Sequence, residues 1–209
     1  EFNFVHQDRA SHVQNTTNRI LRGSVPKPHV VSEHGGTYSF CINLLNSQNT
    51  GIFLDAAMAR QWVYEHATAD MRVLNLFAYT CGFSVAALRG SAAEVINVDM
   101  SSGALKTGQR NHEINFAVHE KEEEEEDNNG QQQRQQFGTA RFLGHNVFKT
   151  WGKIKKLGPY DLIICDPPSY QKGSFVAKRG DYAKVIRRMA AKHSCVSMHP
   201  NWEPIFCWM

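Results

Sequence analysis

Four segments of the chain place polar or glycine-bearing residues directly after an apolar run. The first is Asn75-Leu76-Phe77-Ala78-Tyr79-Thr80-Cys81-Gly82-Phe83-Ser84. Gly82 lacks a side chain where a helix is expected to begin, so a ligand could approach the backbone there. The second ends in Asp99. A carboxylate at a strand end can accept both hydroxyls of a ribose; it can equally be an acid interacting with the dipole of the next helix. The third is Gly144-His145-Asn146-Val147-Phe148. Asn146 could hydrogen-bond an adenine edge with Val147 packed on its face, or simply cap a helix. The fourth is Asp166-Pro167-Pro168-Ser169-Tyr170. Two prolines stiffen the backbone here and hold a carboxylate and backbone carbonyls at the sheet edge. An acceptor in that place could bind the exocyclic amine of a flipped base and orient its lone pair, with Tyr170 stacked on the ring.

The elements that must position these residues alternate from residue 72 onward. Residues 71–77 form a buried apolar run of strand length. A helix is expected from Gly82 to Leu88, a strand over 94–99, and a helix capped by Ser101 running to about Asn115. Strands follow at 140–143 and 160–165, with a short helix from Val147 between them and a basic helix over 181–192. This order implies a parallel sheet with helices on both faces, the doubly wound α/β class. In such sheets ligands bind outside the carboxyl ends of the strands. Upstream, residues 1–30 read as loop plus one short helix. Residues 30–45 read as two strands around Gly35-Gly36, with 51–55 continuing that sheet and a helix over 56–67. Residues 117–137, a glutamate run followed by glutamines, cannot build a core and read as a disordered insertion.

Composition excludes several classes. No apolar run approaches the roughly 18–20 residues of a membrane span, and the first residues do not resemble a signal peptide. The five cysteines are widely spaced with no C-x-x-C, which argues against a disulfide framework or zinc site and predicts a reducing, cytoplasmic setting. A single glycine after the first strand disfavours a dinucleotide loop and hence NAD, and no phosphate-cradling G-x-x-x-x-G-K-[ST] occurs. The net charge of +3 hides an asymmetry: residues 120–127 carry seven acids and one lysine, −6, so the remainder carries +3 − (−6) = +9. Residues 172–192 hold seven Lys or Arg against one Asp, +6. That surface suits a polyanion such as RNA, or is plain solvated charge.

The segments N-L-F-A-Y-T-C-G-F-S, N-V-D-M-S and C-D-P-P-S-Y resemble the class I S-adenosylmethionine-dependent methyltransferases, most closely the bacterial 23S ribosomal RNA methyltransferases that modify cytosine or guanine. Gln48 to Asp55 with Arg60 is similar to the segment leading into that family's catalytic domain. The resemblance implies a Rossmann-like parallel sheet, incomplete at its C-terminus and preceded by a small β-hairpin segment. It divides the chain into an N-terminal extension (1–65), an S-adenosyl-L-methionine-binding core (66–192) and an atypical tail (193–209). Asn75, Phe77, Ala78, Tyr79, Thr80 and Gly82 would wrap the methionine part of the cofactor. Asp99 would bind its ribose, Met100 would lie against its adenine, and Asn146 would take the adenine amine. Asp166, Pro167, Pro168 and Ser169 would face the target base, with Asp166 also bordering the cofactor. Tyr170, Lys172, Arg187 and Arg188 would hold RNA; no metal is implied.

Departures from the family pattern shape the expectations. Asn146 stands where the family usually has Asp, and Cys81 where a second glycine is frequent. The tail has no family likeness and no clear strand–helix order. Residues 160–165 are therefore expected to form an apolar edge through which copies would associate. Cytosine chemistry at C5 needs a cysteine thiolate. Cys165 should point away from Asp166, and Cys195 and Cys207 lie in the tail, so guanine is favoured. The competing reading is a catalytically incomplete remnant that binds RNA or a protein partner.

Overall fold

The computed structural model describes residues 2–8, 17–45, 49–116, 137–167, 187, 194–198 and 204–207. The chain opens with a two-stranded hairpin, β1 (Phe4–Asp8) and β2 (Thr17–Arg22), not the loop and helix expected there. Its apolar residues Phe4, Ile20 and Leu21 are exposed. They follow no buried face, so no periodicity announced the strands. A second hairpin pairs β3 (His29–Glu33) with β4 (Tyr38–Ile42) around Gly35 and Gly36, both with positive φ, as expected. Residues 51–55 do not extend that sheet. They lead through a 3-10 turn (Leu54–Ala56) into helix α1 (Ala57–His66).

The core is a six-stranded sheet in the order β10-β9-β8-β5-β6-β7. Its parallel part comprises β5 (Arg72–Leu76), β6 (Glu94–Asp99), β7 (Thr139–Gly144) and β8 (Leu162–Cys165). Helices α2 (Gly82–Arg89), α3 (Ser102–Phe116) and α4 (Val147–Lys156) form the crossovers. Period-two alternation divides the strands between two faces. Leu74, Leu76, Ile96, Val98 and Ile163 pack with Val147 and Ile154 of α4. Val73, Val95, Leu162 and Ile164 pack with Val63 of α1 and Phe83, Ala87 and Leu88 of α2.

The tail corrects two expectations. Residues Ser194–Met198 form β9, parallel to β8, and Pro204–Cys207 form β10, antiparallel to β9. Strand β8 is thus interior, its backbone groups paired on both sides. Association through a bare β8 edge loses its physical basis.

The second hairpin docks on the core without joining its sheet. Ser39 N donates to Asn115 Oδ1 and Cys41 N to Asn111 Oδ1, both at 2.8 Å, while Asn115 Nδ2 returns a bond to Ser39 O at 2.7 Å. Two asparagines one helical turn apart meet alternate residues of a strand because about 6 Å of helix rise over four residues matches about 6.8 Å of strand rise over two. Just beyond, the rings of Phe116 and Phe137 lie 5.0 Å apart, on either side of residues 117–136.

Candidate active site

Sheet register brings the expected strand ends to one level. Leu76 pairs with both Cys165 and Val98, and Asp99 with Gly144. The next residues, Phe77, Asp166 and Asp99, therefore emerge side by side from β5, β8 and β6.

The loop after β5 is held in an unusual shape. Phe77, Tyr79 and Cys81 all have positive φ, at 56°, 47° and 61°. Each such non-glycine residue costs on the order of 1–2 kcal/mol, so surrounding bonds must hold the loop. Ala78 N donates to Val98 O at 3.1 Å, and Tyr79 N to Asp99 Oδ2 at 2.8 Å. Thr80 Oγ1 donates to Gly51 O at 2.6 Å, and Asn111 Nδ2 to Thr80 O at 2.9 Å. Cys81 stands in a left-handed position natural to glycine, and Gly108 of α3 makes room for it. A Cβ on Gly108 would lie 2.5 Å from the Cys81 sulfur. The departure at Cys81 is accommodated by close helix approach.

Beneath this loop runs a directional hydrogen-bond chain. Asn75 Nδ2 donates to Asn97 Oδ1 (2.9 Å), Asn97 Nδ2 to Ser84 Oγ (3.0 Å), and Ser84 Oγ lies 2.9 Å from His112 Nε2. His112 Nδ1 must donate to the Gly108 carbonyl at 2.7 Å, because that oxygen can only accept. This assigns the neutral Nδ1–H tautomer, with Ser84 donating to Nε2. Burial lowers the His112 pKa to about 4. Asn75 is 1% exposed, so it braces the loop from within the core and has almost no surface to offer the cofactor.

Asp99 fits a ribose. Oδ2 accepts from Tyr79 N and Oδ1 from Ser101 N at 2.7 Å, which fixes the carboxylate and leaves each oxygen a second lone pair. Met100 beside it is 38% exposed. Asn146 is a helix cap: Oδ1 accepts from Phe148 N (2.9 Å) and Lys149 N (3.2 Å). With that oxygen doubly engaged, the amide NH2 is the group left to offer. It suits an adenine ring nitrogen, not the exocyclic amine assigned to Asn146 from sequence. Val147 is 2% exposed and belongs to the core; it cannot lie against adenine. Phe148, which sequence reasoning passed over, stands closer to the loop, its ring 6.0 Å from that of Phe77.

Asp166 and Pro167 are both half-buried at the end of β8. Burial, together with the charge of Asp55 and against that of Arg60, raises its pKa to about 6. Pro168, Ser169, Tyr170, Lys172 and Arg188 lie outside the described residues, while Arg187 is helical and exposed. The lead-in segment, which sequence reasoning did not place in the site, borders it. The Phe53 ring lies 5.3 Å from Tyr79 and is 46% exposed. Arg60, 3% exposed, donates Nε and Nη2 to the two oxygens of Glu33 at 2.9 and 2.5 Å, and Nη1 to Phe53 O at 3.0 Å. The signal for this placement was weak in sequence, since each contact crosses many residues. Among the described residues no group of three His, Cys, Asp or Glu could hold a metal ion, and no helix is long and apolar enough to cross a membrane.

A braced loop, a ribose-fitting carboxylate and a cap amide on neighbouring strand ends match a cofactor that joins an amino acid to a nucleoside. Comparison with known proteins agrees. A family model described as S-adenosylmethionine-dependent methyltransferase matches residues 20–195. The chain is 33% identical over 152 residues to ribosomal RNA large subunit methyltransferase I of Aeromonas salmonicida, covering 72% of this chain and 33% of that protein. It is 34% identical over 160 residues to the protein of the same name in Vibrio vulnificus, covering 76% and 35%. The chain thus spans about a third of the length of the curated relatives it matches. Among solved structures, a candidate SAM-dependent methyltransferase from Streptococcus mutans superposes with TM-score 0.67 at 26% identity, over 86% of this chain and 43% of that one. A candidate methyltransferase complexed with SAH gives TM-score 0.67 at 25% identity, over 88% and 46%. Fold, site and sequence concur: the chain belongs to the S-adenosylmethionine-dependent methyltransferase family.

Proposed function

We propose that this chain transfers a methyl group from S-adenosylmethionine to a base of RNA, with large-subunit ribosomal RNA as substrate and guanine as the favoured base. The observation that carries the reading is the common level of Phe77, Asp99 and Asp166 on three adjacent strands. The printed names of the relatives supply the substrate class. Bound S-adenosylmethionine supplies an electrophilic methyl group on a sulfonium. The protein contributes position: the loop from Phe77 to Gly82 cradles the amino-acid end, Asp99 the ribose, and the Asn146 amide the adenine edge. Asp166 accepts a hydrogen bond from the base and aims its nitrogen lone pair. Pro167, Pro168 and Ser169 shape that mouth, Tyr170 stacks on the base, and Lys172, Arg187 and Arg188 grip phosphates.

Guanine is favoured over cytosine C5 chemistry by the state of the thiols. Among the described residues Cys41, Cys81 and Cys165 are buried, and burial raises the pKa of the first two, which disfavours the thiolate. The test is calorimetric titration with S-adenosylmethionine and, separately, NADH. Micromolar binding of the former alone, lost in Asp99→Ala, is expected. A folded chain that binds neither would instead be a catalytically incomplete remnant.

A further inference from the structure

Helix α4 commits one face to the core and leaves the other open. Val147 and Ile154 are buried, and Phe148 and Trp151 pack against the same cluster. On the opposite side Lys149, Lys153 and Lys156 recur at spacings of four and three, which sets them in one row. All three are exposed, as is Lys155 beside them. The helix carries these four lysines and no acid. Among the described residues none of the four makes an ion pair.

Two features set this row apart from ordinary solvated charge. Lysines in a last turn complement the helix dipole, which accounts for Lys153, Lys155 and Lys156. Lys149 stands in the first turn, where the dipole opposes a cation, so helix stability does not explain it. Gly152 lies between Lys149 and Lys156 on the helix surface, three residues after one and four before the other. It is exposed, and a Cβ built on it would meet nothing within 4 Å. Glycine is a poor helix former, and no close neighbour among the described residues requires it here. It leaves a notch in the row through which a polymer backbone can approach the helix.

The row also begins at the site. Lys149 N donates to Asn146 Oδ1 at 3.2 Å, so the first lysine is one turn from the amide offered to adenine. From Lys149 to Lys156 the helix rises about 10 Å, away from the carboxyl ends of the strands. That length matches about three phosphates of one strand at helical spacing. Arg187, helical and exposed, lies between the parallel neighbours β8 and β9. The step from β8 to β9 crosses the sheet in the same direction as the step from β7 to β8. The right-handed crossover rule therefore places Arg187 on the sheet face that α4 covers.

We propose that the outer face of α4 docks the phosphate backbone of the RNA whose base enters the site, with Lys149, Lys153 and Lys156 as phosphate partners and Gly152 as the point of close approach. The inference rests on the methyl-transfer reading for its choice of polyanion, and adds a surface to it. Phosphate contacts of this kind fix the register of the strand on the protein and carry no sequence information. Their contribution is electrostatic, so it fades as salt rises.

The test is the salt dependence of binding between the full chain and a fluorescent single-stranded RNA oligonucleotide. Replacing Lys149, Lys153 and Lys156 together by glutamine should flatten the plot of log K against log salt by about 2. It should also weaken binding roughly tenfold or more at about 0.1 M salt. Replacing the same three by arginine should keep the wild-type slope. Gly152→Glu, which favours the helix but sets an acid in the notch, should weaken RNA binding at least several-fold. Affinity for S-adenosylmethionine should be unchanged in all of these variants. An unchanged slope in the glutamine variant, or unchanged RNA affinity in Gly152→Glu, overturns the proposal. Polyglutamate that binds as tightly as RNA, and loses its binding in the same variants, would assign the face to an acidic protein and overturn it as well. RNA bound through these lysines by a chain that binds no S-adenosylmethionine would count against the methyl-transfer reading and not against the surface. A chain that binds S-adenosylmethionine but no RNA would overturn the surface and the RNA substrate together.

Discussion

Thr80 Oγ1 donates to the Gly51 carbonyl at 2.6 Å across 29 positions of sequence. The bond joins the lead-in segment to the loop that carries three left-handed residues. Thr80→Val keeps the shape and removes the donor, leaving a buried carbonyl without this partner. It should cost about 1–3 kcal/mol in urea unfolding and weaken S-adenosylmethionine binding several-fold by calorimetry. Thr80→Ser should restore most of both. Stability lost without loss of affinity would mean that the loop keeps its shape unaided.

Arg60 is nearly inaccessible and paired with Glu33. Arg60→Met would strand Glu33 and remove a cation whose charge acts on Asp166. Breaking a buried pair from one side costs about 3–5 kcal/mol. A denaturation midpoint close to wild type would show that water reaches the Glu33 carboxylate.

His112 is neutral in the folded protein, its pKa lowered to about 4 by burial. The unfolded chain takes up a proton near pH 6.5, so this histidine favours folding above 6.5 and that contribution is lost as pH falls towards 4. Between pH 7 and 5 the loss should be about 2 kcal/mol. His112→Gln, which cannot titrate, should show a flatter dependence in urea unfolding over that interval. An equal slope in both proteins would place the acid sensitivity elsewhere.

Asp166 works in the opposite direction. Its pKa, raised to about 6, means that the folded state binds the proton more tightly than the unfolded one. Its contribution is fully present below about pH 4 and is lost as pH rises through 6. At pH 7.5 the half-buried charge costs up to about 2–3 kcal/mol, less as solvent screens it. Asp166→Asn should therefore be more stable than wild type at pH 7.5, lose that advantage by pH 4, and be severely impaired in methyl transfer. A less stable variant at pH 7.5 would mean that the carboxylate is better compensated than the described neighbours allow.

Much of this arrangement was legible in the sequence because it is local. The strand over 94–99 and the helix from Gly82 follow from apolar periodicity, and the helices after Ser101 and Asn146 follow from those caps as well. Ser101 Oγ does accept from Ala104 N at 3.2 Å. Val147 was assigned to adenine because it follows Asn146, but its spacing to Ile154 puts both on the buried side of α4. The first hairpin was missed because its apolar side chains are exposed and trace no core-facing stripe. Strand β9 was missed because what defines it is pairing with β8, about thirty residues away.

The contact between Phe116 and Phe137 has a consequence for the segment it encloses. Because α3 is already clamped to β4 by Asn111 and Asn115, and β7 follows at Thr139, the two ends of residues 117–136 meet whatever lies between them. Closing a longer or shorter excursion between fixed posts changes the entropy of the chain only logarithmically. This junction is thus a splice point: evolution, or an experimenter, can write a peptide, a tag or a whole reporter domain into it while α3 and β7 keep their places.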